Sequence, residues 1–339
     1  MMALLGLIAL GWFVAISLLT IYTAYTLTHP PRRTYASALA RNIPGDPSEM
    51  SDHPRSFTSW NFASRGMNLP VWDVKGDDSA GPIVIMTHGW GDSRIGGLSR
   101  LESFAACASR VLMWDMPGHG DAPGTSSLGT GEVDDLVTLI KIVQEREEIA
   151  VSQKNTSGTE LQPLVLFGWS MGGGVSIAAA GRCMQRLETC DVRGVIVEGI
   201  YRLVQTPARN VLKASRLPYT INLPLAMTWL GLWFGVGAAW NGTGKNGKGK
   251  NRESGTVAGF DRAKHAACLK APVLAIHGAK DEISPLADAQ AIINACKDGR
   301  LMCIEQGGHS GLWTQPESRA HLDVAVKGFL REICPGTTS

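Results

Sequence analysis

The sequence lacks the charge pattern that nucleic-acid-binding proteins show. Its 339 residues carry 32 Lys and Arg against 30 Asp and Glu, a formal net charge of +2, and charges of both signs are interspersed. No long basic run contains interleaved aromatic residues, so nothing supports nucleic acid as a partner. No internal repeat is evident, and 44% of the residues are hydrophobic. The chain is therefore long and apolar enough to bury one large core.

Metal-ligand spacing is also missing. The seven cysteines include no C-x-x-C pair, so we expect no metal and no other cofactor. Their number is odd, and most of them fall within predicted helices or strands, as buried small hydrophobic residues do. This pattern favours a reducing compartment over a disulfide scaffold.

Charge is absent from the first part of the chain, because no Asp, Glu, Lys or Arg occurs between Met1 and Pro31. About 20 apolar residues suffice to cross the hydrocarbon core of a bilayer, and 4–27 is overwhelmingly apolar. A cleaved signal peptide is the alternative, since 38–40 (Ala-Leu-Ala) resembles a cleavage site. The run exceeds the roughly 7–15 residues of a signal-peptide core and lacks a basic leader. We therefore expect 1–31 to be an uncleaved transmembrane anchor.

The residues after this span indicate an orientation and a boundary. Arg32, Arg33 and Arg41 follow closely, and the positive-inside rule places the C-terminal side of the span in the cytoplasm. The sequence from 41 to 55 is rich in Pro, Asp, Ser and Gly. We accordingly assign 32–55 to a linker.

A candidate nucleophile lies at Ser170, within Gly-Trp-Ser-Met-Gly. The apolar run 164–167 precedes this motif, and the small-residue stretch 173–180 follows it. A strand, a tight turn and a helix are predicted in that order. Glycines at such a turn permit the sharp bend that exposes a serine hydroxyl above the end of a sheet.

Two further strands, at 272–277 and 301–304, lead to Asp281 and His309. A serine hydroxyl needs a neutral imidazole to take its proton, and a carboxylate to orient that imidazole. The chain order Ser, Asp, His differs from the orders of chymotrypsin and subtilisin. Taken singly, His309 could be a solvated loop residue, and Asp281 could turn a loop or cap a helix. Taken together, the three residues predict a catalytic triad.

An oxyanion-binding loop is expected after the strand 83–87, at His88-Gly89-Trp90-Gly91. Backbone amides that point at the developing oxyanion stabilise acyl transfer. The candidate donors are the amides of Trp90 and Met171. His88 is expected to brace the loop, while Asp115 and His119 shape a neighbouring loop.

Together, these motifs resemble the α/β-hydrolase superfamily of serine hydrolases, in the group of membrane-anchored esterases, lipases and acylglycerol-lipase-like proteins. The resemblance covers about 56–334. It implies an α/β fold whose mostly parallel eight-stranded sheet has helices on both faces and the active site at the strand C-terminal ends. Some members place the triad acid at the strand end where this sequence has Glu198, which is our reserve candidate. A serine at the tight turn disfavours epoxide hydrolases and haloalkane dehalogenases, which use a carboxylate as the nucleophile there.

We assign 56–335 to the catalytic domain, with a cap or lid insertion at about 201–260. Residues 217–244 carry no charge and include Trp229, Trp233, Phe234 and Trp240. A second membrane span here would separate Ser170 from the other triad residues. The segment is therefore expected to be a buried cap helix or an apolar lid resting on the membrane.

The sequence thus predicts a serine hydrolase that cleaves a small-molecule or lipid ester through an acyl-enzyme. A carboxylic ester is favoured, and a thioester or a monoacylglycerol-type substrate is compatible. The alternatives are a catalytically silent binding protein of the same fold and a serine peptidase.

A hairpin is expected at 58–63 and 69–74. Helices are expected at 98–109, 132–148, 171–186, 286–296 and 317–333.

Overall fold

A single eight-stranded sheet organises the fold. The computed structural model describes residues 1–153, 161–186, 191–234 and 260–335. The strands are β1 (Phe57–Ser64), β2 (Met67–Lys75), β3 (Ile83–Thr87), β4 (Arg110–Trp114), β5 (Leu164–Trp169), β6 (Val192–Glu198), β7 (Val273–Gly278) and β8 (Gly299–Ile304). Their spatial order is β1-β2-β4-β3-β5-β6-β7-β8. Strand β2 runs antiparallel to both neighbours, and the strands from β4 to β8 pair in parallel. The predicted mostly parallel sheet is confirmed.

The predicted hairpin is present as β1 and β2, which pair from Phe57 opposite Val74 to Ser64 opposite Met67. The two turn residues, Arg65 and Gly66, have φ values of 47° and 76°. Positive φ at both central positions is the type I′ geometry, whose twist matches that of the flanking strands. The hairpin therefore extends the parallel sheet by two strands at one edge.

Ten helices connect or flank these strands within the described residues. They are α1 (Met2–Thr28), α2 (Tyr35–Leu39), α3 (Leu98–Ala105), α4 (Glu132–Gln153), α5 (Met171–Arg186), α6 (Gln205–Ala214), α7 (Asn222–Trp233), α8 (Arg262–Ala266), α9 (Leu286–Ala295) and α10 (Pro316–Ile333). Short 3-10 turns occur at Pro47–Glu49 and Arg94–Gly97. The segment assigned to a linker thus contains α2, whose Ala38 is 2% exposed.

Each face of the sheet carries its own hydrophobic core. Successive strand residues point to opposite faces, so Ile83 and Ile85 join one core while Val84 and Met86 join the other. Helices α4, α5 and α9 cover the first face, and α3 and α10 cover the second. Both layers hold the strand ends in place, which is what positions the loops above the sheet.

One helix is shorter than predicted and another is longer. The helix predicted at 98–109 is too long, because α3 ends at Ala105. The Ser109 amide already donates to the Pro82 carbonyl at 3.0 Å. That bond aligns the chain with β3 before β4 begins. Helix α4 continues to Gln153, beyond the predicted end at 148.

The apolar helix α1 is long and apolar enough to cross a membrane, with a mean hydropathy of 2.4 over its best 18-residue window. A signal sequence near an N-terminus passes the same test. One side of its last turns is buried, however, and packs against α7. There the Asn222 side-chain amide donates to the Thr23 hydroxyl at 2.8 Å.

Helix α7 buries one side and exposes an apolar one. Leu223, Met227 and Leu230 are buried. The exposed apolar side chains are Leu225, Trp229, Leu232 and Trp233, and Ile221 just before the helix is exposed as well. Residues 235–259 of the predicted insertion, Trp240 among them, lie outside the described residues.

Candidate active site

Ser170 occupies a strained turn between β5 and α5. Its φ is +52°, a left-handed conformation that costs a non-glycine residue roughly 1–2 kcal/mol. A Cβ at Gly168 would lie 2.3 Å from the Gly172 carbonyl oxygen, and one at Gly172 would lie 2.1 Å from the Thr87 carbonyl oxygen. Only glycine fits at either position. The Ser170 amide donates to the Glu198 carbonyl at 2.7 Å, which ties the turn to β6.

The structure brings Ser170, His309 and Asp281 into one hydrogen-bonded chain. His309 Nε2 lies 3.0 Å from Ser170 Oγ, and His309 Nδ1 lies 2.7 Å from Asp281 Oδ2. An ionised carboxylate can only accept, so Nδ1 carries the proton and Nε2 accepts from the serine hydroxyl. This tautomer is the one that a general base beside a nucleophile requires.

Asp281 combines the two roles that its sequence context allowed. Its Oδ1 accepts from the amides of Ile283 and Ser284 at 2.9 and 2.7 Å, which turns the loop before α9. Its Oδ2 is left for His309. The buried His277 donates from Nε2 to the Ser284 carbonyl at 2.8 Å, and burial lowers its pKa. A neutral His277, 3.6 Å from Asp281, does not compete as a cation for that carboxylate.

Glu198 is engaged elsewhere. Its carboxylate, 1% exposed, accepts from Arg100 at 2.8 and 2.9 Å and from the Trp313 indole at 2.7 Å. The guanidinium of Arg100 also stacks 4.3 Å from the centre of the Trp169 ring. Through this buried ion pair, Glu198 stabilises the turn that carries Ser170. The acid that contacts His309 is Asp281.

His88 braces the loop after β3, as the sequence indicated. Its Nδ1 donates to the Gly89 carbonyl at 2.8 Å, and its Nε2 accepts from the Met116 amide at 2.9 Å. Burial lowers the pKa of His88, so the ring is neutral in this arrangement. The loop from 88 to 92 is thereby fixed to the end of β4.

The loop that follows β4 is shaped by the two polar residues expected to do so. Asp115 accepts from the amides of Arg94 and Asp121 at 2.7 and 3.0 Å. Burial raises the pKa of Asp115 and places the pKa of His119 well below its usual value. His119 donates to the Pro117 carbonyl at 3.0 Å. These contacts are structural and lie outside the hydrogen-bonded chain of Ser170.

The amides of Trp90 and Met171 are free to act as oxyanion donors. Neither donates to an acceptor within the described parts of the chain, and both residues line a cavity together with Ser170 and His309. Sequence reasoning missed the neighbours that hold Trp90. Its indole donates to the Leu27 carbonyl at 2.8 Å, a contact between residues too distant in sequence for any local pattern to indicate.

Two cavities meet at Ser170. One, of about 150 Å³, is lined mainly by apolar side chains, among them Leu27, Val204 and Ala208. The other, of about 560 Å³, is lined about equally by polar and apolar surface and contains both cationic and anionic side chains. Its charged lining residues are Arg33, Arg100, Arg319, Asp52, Asp92 and Glu102. Across the described ranges, no group of three His, Cys, Asp or Glu residues could hold a metal ion.

Residues 84–321 match the alpha/beta hydrolase family, and the chain belongs to that family. A comparison with curated proteins gives no match. A solved esterase from Pyrococcus furiosus is 17% identical, with a TM-score of 0.60 over 91% of this chain and 98% of that chain. Mouse alpha/beta hydrolase domain-containing protein 10 is 16% identical, with a TM-score of 0.50 over 83% of this chain and 100% of its own.

The acylaminoacyl peptidase of Pyrococcus horikoshii is also similar, at 16% identity and a TM-score of 0.51. The match covers 82% of this chain and 41% of that chain. At such identities the similarity establishes the fold, and the choice between an ester and an amide substrate depends on the site itself.

Substitutions of the two acids should separate their roles. We expect Asp281→Asn to lower kcat by about 10⁴-fold, since a triad histidine then loses its correct tautomer. Glu198→Gln should instead lower the free energy of unfolding by about 3–5 kcal/mol, because Arg100 is left buried without its partner. Turnover per titratable serine and denaturant unfolding measure the two effects. Loss of turnover in Glu198→Gln, with Asp281→Asn nearly unchanged, would reverse the assignment.

Proposed function

We propose that this protein is a membrane-anchored serine hydrolase that cleaves carboxylic esters through an acyl-enzyme. The supporting observation is the chain of hydrogen bonds from Ser170 through His309 to Asp281, set beside two unpaired amides. A hydroxyl in contact with a correctly oriented imidazole is the arrangement of an activated nucleophile.

The reaction follows from the positions of these groups. Ser170 Oγ attacks the ester carbonyl while His309 Nε2 takes its proton, and Asp281 stabilises the resulting imidazolium. The amides of Trp90 and Met171 receive the oxyanion. His309 then returns the proton to the departing alkoxide, which leaves as the alcohol. A water molecule, deprotonated by His309, then attacks the acyl-enzyme carbonyl. Ser170 leaves with the proton from His309, and the acid is released.

Removing the nucleophile tests the proposal directly. Ser170→Ala should lower kcat for p-nitrophenyl butyrate by about 10⁶-fold, the scale for a triad nucleophile, with little change in the unfolding midpoint. It should also lose labelling by a fluorophosphonate. A folded wild type that neither hydrolyses esters nor takes the label would be a binding protein of the same fold. Faster turnover of peptide p-nitroanilides than of esters would indicate a serine peptidase.

The two cavities support a proposal for the substrate class. The apolar cavity suits an acyl chain, and the larger cavity, with its charged side chains, suits a polar alcohol portion of the ester. An apolar cavity of about 150 Å³ holds a group the size of benzene, which corresponds to an acyl chain of about six carbons. The favoured substrate is therefore an amphipathic ester with a medium acyl chain and a polar alcohol.

Filling the apolar cavity should shift this preference. Ala208 lies on α6, is 6% exposed and lines the cavity. Ala208→Phe should reduce kcat/KM for p-nitrophenyl hexanoate at least tenfold, since burial of a few methylene groups at about 0.8 kcal/mol each is lost. Turnover of the acetate should change little. Ala214→Phe, on the exposed side of the same helix, is the matched control. An equal loss on both esters would place the acyl group elsewhere.

The membrane arrangement is also a proposal. Residues 1–31 form the anchor, 32–55 the connecting segment and 56–335 the catalytic domain. The supporting feature is that α1 packs against α7, whose outer side exposes Leu232 and Trp233 at 71% and 72%. An apolar helix face next to a spanning helix lies naturally in the interfacial layer. Helix α7 would then serve as the apolar lid.

Fluorescence quenching tests the contact of α7 with lipid. In vesicles of brominated phosphatidylcholine, the full-length protein should lose more tryptophan emission than its Trp229→Phe/Trp233→Phe variant does. Brominated chains quench the indoles that touch them, and these two rings are 47% and 72% exposed. Trp72→Phe, which removes a buried indole at 5% exposure, is the control and should leave the quenched emission unchanged. Equal quenching in the wild type and the double variant would contradict the lid.

We further propose that the catalytic domain faces the cytoplasm, on the support of Arg32, Arg33 and Arg41 after the span. Free thiols at Cys107, Cys268, Cys296 and Cys303 agree with a reducing compartment.

Expression in a eukaryotic cell tests this orientation. The sequence offers two N-glycosylation acceptors, at Asn155 (Asn-Thr-Ser) and Asn241 (Asn-Gly-Thr). Both should stay unmodified, so endoglycosidase treatment should not change the electrophoretic mobility. A glycan on either asparagine would place the domain in the lumen or outside the cell.

A further inference from the structure

The C-terminal end of α1 is capped by the catalytic domain. The last carbonyls of a helix have no hydrogen-bond donor within that helix and need donors from elsewhere. Here the Leu27 carbonyl accepts from the Trp90 indole at 2.8 Å, and the Thr28 carbonyl accepts from the Ser126 amide at 2.9 Å. The side chain of Leu27, 5% exposed, also lines the cavity beside Ser170. The apolar helix is therefore part of the wall of the active site.

A second contact joins the segment after α1 to the same loop. Arg33 donates to Asp92 Oδ1 at 3.1 Å, and Asp92 Oδ2 accepts from the Trp169 indole at 3.1 Å. Trp169 directly precedes Ser170. The loop that carries the Trp90 amide is thus held between the end of α1 on one side and the nucleophile turn on the other.

We propose that residues 27–33 are a positioning element for the oxyanion loop. They act through Trp90 and Asp92 and do not contact the reacting atoms. Oxyanion donors are effective only within about 2.7–3.1 Å of the oxygen that they stabilise, so a loop displaced by a fraction of an ångström loses catalysis. The inference rests on the serine-hydrolase function proposed above.

This role bears on the fate of the N-terminal segment. A signal peptidase cut after Ala40 would remove Leu27 and Arg33, and with them both contacts to the loop. The Trp90 indole and the Asp92 carboxylate would then lose these partners at the edge of the active site. Retention of the segment is therefore required for full activity as well as for attachment.

The test uses burst kinetics of the full-length enzyme with p-nitrophenyl acetate. Deacylation is the informative step, because the leaving group has already departed and acetyl is a short acyl group. Trp90→Phe and Arg33→Met should each lower the deacylation rate constant about tenfold, a fraction of the roughly 10²–10³-fold cost of losing an oxyanion donor outright. Arg33→Lys keeps a cation near Asp92 and should restore the rate to within about threefold.

Thr26→Val is the matched control, because its hydroxyl, in the same last turn, bonds only the Tyr22 carbonyl at 2.9 Å. It should deacylate at the wild-type rate. Titration of active serines with a fluorophosphonate corrects all variants for misfolded protein. A normal wild-type burst with unchanged deacylation in Trp90→Phe and Arg33→Met would overturn the positioning role alone. Absence of serine-dependent turnover in the wild type would overturn the proposed function and this inference with it.

Discussion

The rest of the site depends on the left-handed backbone of Ser170. That conformation directs the hydroxyl away from the sheet, and it persists because Gly168 and Gly172 leave no room for side chains and β6 accepts the serine amide. Strands β5 to β8 are parallel, so their C-terminal ends meet at one edge. Asp281 and His309 lie just past two of those ends, which is why residues more than a hundred positions apart become neighbours.

Electrostatic pairing separates the groups that support the site from those that can react. Glu198 is paired with Arg100, whereas the carboxylate that contacts His309 is Asp281. Burial lowers the pKa of His88, His119 and His277. Each of these rings donates a hydrogen bond to a backbone carbonyl. His309 differs because its two nitrogens face a carboxylate and a hydroxyl, beside two cavities. A proton can therefore move at this histidine without breaking the scaffold.

The sequence predicted the parts of this arrangement that have a local cause. A strand, glycines and a small-residue helix surround Ser170, and the turn at Arg65 and Gly66 joins two strands that are adjacent in sequence. Sequence spacing cannot indicate the pairs whose members are far apart, and the Arg100–Glu198 ion pair is one example. The contact of Leu27 with Trp90 is another, since an apolar span carries no pattern that identifies the partner of its last carbonyl. The early end of α3 was missed for a similar reason, because the bond of Ser109 to Pro82 is tertiary.

Helix α1 has a long exposed part and a packed C-terminal end, and the two have different environments. Most of α1 is exposed and apolar, which water penalises and a bilayer does not. One side of its last turn is instead buried against α7, and the Leu27 carbonyl accepts from Trp90 in the loop after β3. If α1 spans the membrane as proposed, the bilayer holds the helix upright and thereby holds the Leu27 carbonyl against Trp90. A shift of the helix along its axis would then reach the oxyanion loop through one hydrogen bond. In that arrangement the position of α1 in the bilayer would be coupled to the loop by geometry, without any moving domain.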